Sequence, residues 1–204
     1  MRERRRVASR PLAPPATSRE DARVNAGFKE WTLICDALGR GEQSIILRKG
    51  GIAEGRAGFR FQHDEFLLFP TLFHEQAAKL RVPADTPLPA VREDGCIEIR
   101  YGARVEWTED VADWEKVQRL APFHLWQEAE IAKRFRQDDA PMVSLALVRV
   151  LKLSEPFVFP DSPRYGGCRS WVQLPPFPES IERVPVLDDA AHSERVTAIR
   201  AILS

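Results

Sequence analysis

The sequence predicts an α+β fold with a mixed sheet or small β-barrel and flanking helices. Two observations carry this. Helical and strand-like segments intermix without a regular βαβ rhythm. The most apolar run, Met142 to Leu153, is rich in leucine and β-branched residues and marks a central strand. The 204 residues suit one domain with an appendage, and 44% apolar against 29% charged residues supply a core without disulfides.

Thirty basic and thirty acidic side chains cancel, so only local clustering can recruit a charged partner. Cys35, Cys96 and Cys168 are odd in number and widely spaced, which argues against a disulfide framework and a zinc knuckle. A cytoplasmic protein without metal or cofactor is expected. No apolar run is long enough to span a bilayer.

Residues 1–24 hold seven arginines against three acids, with little apolar content, and are read as a disordered basic arm. Residues 25–204 are read as a single globular domain. Phe28, Trp31, Ile34, Cys35 and Leu38 recur at helical spacing and predict a helix over 28–38, stopped by Gly39 and Gly41. Ser44 to Leu47 predicts a buried strand with Arg48 at its exit. Phe66 to Phe69 predicts another, closed by Pro70, and Thr71 can cap a helix carrying Phe73, Ala77 and Leu80. Three prolines make 82–94 a loop. Cys96 to Trp107 alternates as a strand or hairpin bending at Gly102. Two helices follow, around Val111–Leu120 and Leu125–Phe135, and then the central strand. Tyr165 to Leu174 reads as a glycine turn entering a short strand, 175–186 as loop, and Asp189–Leu203 as a closing helix.

Four features could carry chemistry. Arg48-Lys49-Gly50-Gly51, with Arg56 and Arg60 nearby, joins cationic side chains to a backbone that can approach an anion closely. It is not a P-loop, because GxxxxGK[ST] is absent. His63, Asp64 and Glu65 precede the FLLF segment and His74-Glu75-Gln76 follows it, a bracket that could serve acid–base work. His74-Glu75 is not HExxH, since Ala78 stands where the second histidine would be. Tyr165-Gly166-Gly167-Cys168-Arg169-Ser170-Trp171 reads as a tight turn in which Arg169 and Ser170 are donors and Cys168 is a small packing residue. Of five tryptophans, most suit core packing and one or two could stack a base.

The blocks FKEWTLICDALGRGEQSIILRKGGIAEG, FLLFPTLFHEQ, LALVRVLKLSEPF and YGGCRSWVQL resemble the bacterial family called domain of unknown function 1802. That resemblance implies membership without an activity. Gly41 to Arg48 is also similar to the GxKxxExR signature of ASCH domains, which are PUA-like β-barrels associated with RNA or nucleotide-like ligands. Gly41 and Arg48 match, whereas Gln43 replaces the lysine and Ile46 the glutamate, so the catalytic role of some ASCH proteins is not carried over.

The expected function is binding of RNA, DNA or a nucleotide-like anion. Arg48, Lys49, Gly50 and Gly51 would hold phosphate, His74 and Gln76 would face a base or sugar, and Arg169 and Ser170 would close the site. One alternative is a hydrolase or nuclease using His63, His74 and Glu75. The other is a non-catalytic protein-interaction accessory. Convergence of Arg48, His74 and Arg169 separates these readings.

Overall fold

The computed structural model describes residues 25–49, 59–89, 92–137 and 140–204. The arm at 1–24 and the positions of Gly50, Gly51 and Arg56 lie outside the described residues. In chain order the strands are β1 (Ala26–Trp31), β2 (Ile45–Arg48), β3 (Glu65–Thr71), β4 (Cys96–Val111), β5 (Val143–Pro160), β6 (Trp171–Gln173) and β7 (Arg183–Pro185). The helices are α1 (Thr32–Gly39), α2 (Gln76–Lys79), α3 (Trp114–Arg119), α4 (Glu128–Phe135) and α5 (Asp189–Leu203).

The sheet is mixed and runs β2-β5-β4-β3-β1-β6, with β7 added to β5. Only β1 and β3 are parallel; the remaining pairs are antiparallel. Among the described residues β2 and β6 end the path without pairing, so the sheet is open and not a closed barrel. The long β4–β5 pair is its spine, with register shifts between Ile99 and Tyr101 and between Val105 and Trp107. Such bulges bend the strand and re-aim side chains.

Both faces of the sheet are covered. Phe66 and Leu68 enter one apolar cluster, with Phe28, Ile34, Ile46, Leu147 and Trp126. Leu67 and Phe69 enter the other, with Ile99, Phe157, Phe159 and Tyr165. Side chains alternate across a strand, so a run such as FLLF can be apolar throughout only where both faces are buried.

The first predicted helix is corrected. Residues 26–31 form β1, and the helix begins at Thr32. Phe28 and Trp31 share a helical spacing with Ile34, but Ala26, Phe28 and Glu30 are buried by strand alternation. Cys96 to Val111 is one strand with no hairpin at Gly102, which instead lets the Phe66 carbonyl approach to 3.2 Å of where a Cβ would stand. Pro70 lies within β3, beyond Leu67 where the β4 pairing ends, so it breaks no ladder with β4.

At the end of α1, Gly41 adopts φ 71°, a left-handed conformation suited to glycine. Gly39 serves close packing instead. A Cβ there would stand 2.1 Å from the Tyr101 ring. Gly39→Ala is therefore expected to displace that ring and cost about 1–3 kcal/mol by overpacking, read from the urea midpoint.

Candidate functional site

Arg48 leaves β2 and crosses toward β1. Its Nη2 donates to the Lys29 carbonyl at 2.6 Å and ion-pairs with Glu30 Oε2 at 2.9 Å. Its guanidinium carbon lies 4.7 Å from the centre of the Phe28 ring. Thus a side chain, not a backbone ladder, ties the first edge of the sheet to β1. Glu30 is 2% exposed, and its Oε1 accepts the Trp31 N–H at 2.8 Å. An acid so buried is stable when paired and hydrogen-bonded.

A second guanidinium joins this pair. Arg134, in the last turn of α4, stacks 3.7 Å from the centre of Trp126 and 5.8 Å from that of Trp31. Loss of water around it, followed by the charge of Arg48, lowers its pKa to about 10, so it stays charged at neutral pH. Among the described residues Arg134 has no ion-pair partner: Glu30 is paired with Arg48, and nearby Glu130 is paired with Lys133 at 2.7 Å. The cluster therefore holds two guanidiniums and one carboxylate. In addition, Arg48 Nε is buried without a hydrogen-bond partner among the described residues.

Rings extend from this cluster in two directions. Trp31 and Trp126 are 4.6 Å apart, and Trp31 continues to Phe73 at 5.2 Å and on to His74. Lys79 lies 5.0 Å over Phe73. On the other side Phe28 meets Trp171 at 4.8 Å, and Trp171 meets His63 at 4.9 Å. Trp171 Nε1 is the second buried donor flanking Phe28 that lacks a partner among the described residues.

The anticipated residues take unequal places. Lys49 donates to the Ala140 carbonyl at 2.7 Å. His74 is exposed and lies beside Phe73. Gln76 is fully buried, accepting the Leu33 N–H at 3.0 Å and donating to the Phe73 carbonyl at 3.0 Å. Its amide thus closes the first turn of α1 and presents nothing to a ligand. Ser170 supplies a carbonyl to the Lys29 N–H at 2.8 Å. Arg169 is exposed, and its charge joins burial in lowering the pKa of Lys29, whose Nζ donates to the Tyr165 and Gly167 carbonyls. Arg48, His74 and Arg169 all relate to β1, but through Lys29 and Glu30, through the Trp31–Phe73 stack, and through Lys29 Nζ respectively.

His63 and His74 lie beyond opposite ends of β3, a strand of seven residues that spans about 20 Å. His63 packs on Trp171, whereas His74 and Glu75 approach to 3.8 Å and Glu75 pairs with Lys79 at 3.6 Å. The two histidines do not share a cleft. Among the described residues no group of three His, Cys, Asp or Glu side chains could hold a metal. Among the described residues no helix is long and apolar enough to cross a membrane.

Sequence reasoning missed Glu30, Lys29 and Arg134. Glu30 was hidden by the helical reading of 28–38. Arg134 stands 86 residues after Arg48 in an amphipathic helix, where a basic residue in the last turn is ordinary.

These features define a small α+β protein with an open mixed sheet and a partly buried cationic cluster beside stacked rings. The chain belongs to the family described as Domain of unknown function (DUF1802), whose model matches residues 27–198. No curated protein matches it. Among solved structures it is similar to the crystal structure of ASCH from Zymomonas mobilis, with TM-score 0.39 and 12% identity over 84% of this chain and 93% of that one. A serine-to-alanine mutant of the Zymomonas mobilis protein gives TM-score 0.43 and 11% identity over 87% and 96% of the two chains. A tyrosine-to-phenylalanine mutant gives 0.40 and 12% over 84% and 96%.

Proposed function

We propose that the chain binds a nucleic acid or nucleotide-like anion at the cluster formed by Arg48, Arg134 and the flanking rings. The observation that carries this reading is the unbalanced charge: two guanidiniums are withdrawn from water beside one carboxylate. A phosphate oxygen would supply the missing negative charge and an acceptor for Arg48 Nε. Trp31, Phe73 and His74 would offer ring faces to bases next to that phosphate. Lys49 and Arg169 contribute to the surrounding field, and Gly50 and Gly51, outside the described residues, remain proposed contacts. Gln76 is left out because both ends of its amide are occupied within the fold.

Fluorescence anisotropy with labelled single-stranded RNA and DNA tests this. Binding should weaken steeply with salt. Arg134→Gln is the diagnostic variant, because it removes a charge without orphaning Glu30. It should weaken binding by about tenfold and reduce the salt slope by about 1. Absence of binding at low salt to RNA, DNA and mononucleotides alike overturns the proposal.

A further inference from the structure

A concavity lies between α1, β3 and β4. Its volume is about 340 Å³, within the range of small-molecule sites. Leu68, Pro70 and Ile97 give it an apolar lining, and Leu72, 48% exposed, stands at its mouth. Tyr101 forms one wall, lying against Gly39 where no Cβ intervenes. The bulge between Ile99 and Tyr101 falls at this wall. Shape here is thus set by two local departures from regular structure, a glycine in a helix and a bulge in a strand.

The charged groups are not equivalent. Arg92 and Arg100 both bond to Glu98, and Arg92 also bonds to Asp94. Asp36 differs: among the described residues its carboxylate has no hydrogen bond or ion pair. The nearest guanidiniums that act on it, Arg40 and Arg100, are bonded to Glu42 and Glu98. Partial burial raises its pKa, against the opposing pull of Arg40 and Arg100. The cavity therefore has its cations neutralised and one acid left over. An anion would meet two arginines already drawn to Glu98 and Asp94, whereas an ammonium would meet the one open carboxylate.

We infer that this cavity is a binding site for a small amphipathic amine, its ammonium on Asp36 and its apolar body along Leu68, Pro70 and Ile97. Its lining includes none of the residues of the proposed anion site.

Cys96 lines the same cavity and is partly exposed, which makes it an internal reporter. Cys35 is buried, and its thiol pKa is raised by desolvation, so it resists alkylation. Cys168 is exposed and is removed as Cys168→Ser. In that full-length background, iodoacetamide alkylation of Cys96 is followed against hexylammonium, hexanol and hexanoate. Hexylammonium should halve the rate at a concentration about tenfold below that of hexanol, the effect of one charge-assisted hydrogen bond. Hexanoate should protect least. Asp36→Asn should bring hexylammonium and hexanol to the same concentration, while Arg134→Gln should leave the preference intact. Equal protection by hexylammonium and hexanol before any change at Asp36 overturns the inference. So does no protection by the amine, or a preference that survives Asp36→Asn.

Discussion

Glu30→Ala is expected to destabilise the fold by about 3–5 kcal/mol, the cost of leaving a buried charge without its partner. The carboxylate is 2% exposed, while the Arg48 side chain is 13% exposed and held in place by the Lys29 carbonyl and the Phe28 ring. Removing Glu30 leaves Arg48 and Arg134 as two neighbouring cations with no compensating acid between them. It also frees the Trp31 N–H at the start of α1. Glu30→Gln should fall between wild type and alanine, since the amide oxygen can still accept that N–H. Pairing Glu30→Leu with Arg48→Met should recover much of the loss, because an apolar pair of similar volume avoids the desolvation cost. Urea denaturation reads all three. A loss below about 1 kcal/mol for Glu30→Ala would place the pair among weak surface contacts and remove the charge argument for the cluster.

The same residues explain how far the sequence could be read. The closing helix and the β5 strand were legible because long periodic or uniformly apolar segments dominate their neighbours' signals; α5 spans Asp189–Leu203 as predicted. Arg48 was legible as the exit of a buried strand. Its partner was not, because Glu30 lies in a strand whose aromatic spacing imitates a helix. Gln76 looked like a ligand contact beside His74, yet one faces the core and the other faces solvent. Residues two positions apart at the turn into a short helix diverge in this way, and no one-dimensional pattern reports which of them turns inward. The cavity beside Asp36 was invisible for a related reason. It depends on Tyr101 lying over Gly39, 62 positions earlier in the chain. Local propensity carries elements, while charge balance and shape arise only when distant elements meet.

Acid should expose a second buried group. His124 is 3% exposed; its Nδ1 accepts the Trp126 N–H at 3.1 Å, and its Nε2 has no partner among the described residues. The Arg81 guanidinium donates to the His124 and Ala121 carbonyls, placing a positive charge beside the ring. Burial first, and Arg81 second, push the His124 pKa down to about 3. The imidazole is therefore neutral in the fold, whereas in the unfolded chain it titrates near its ordinary value of about 6.5. Between these limits the unfolded state binds the extra proton. Stability is then unaffected above about pH 7 and falls by about 1.4 kcal/mol per pH unit below about 6.5, until the native ring itself protonates. By pH 4.5 the loss from this one residue reaches about 2.7 kcal/mol. His124→Asn should keep an acceptor for the Trp126 N–H while removing the titration. Urea midpoints measured from pH 7.5 to 4.5 should fall less steeply for the variant than for wild type. Parallel curves would show that the ring takes up its proton within the fold and that Arg81 does not hold it neutral.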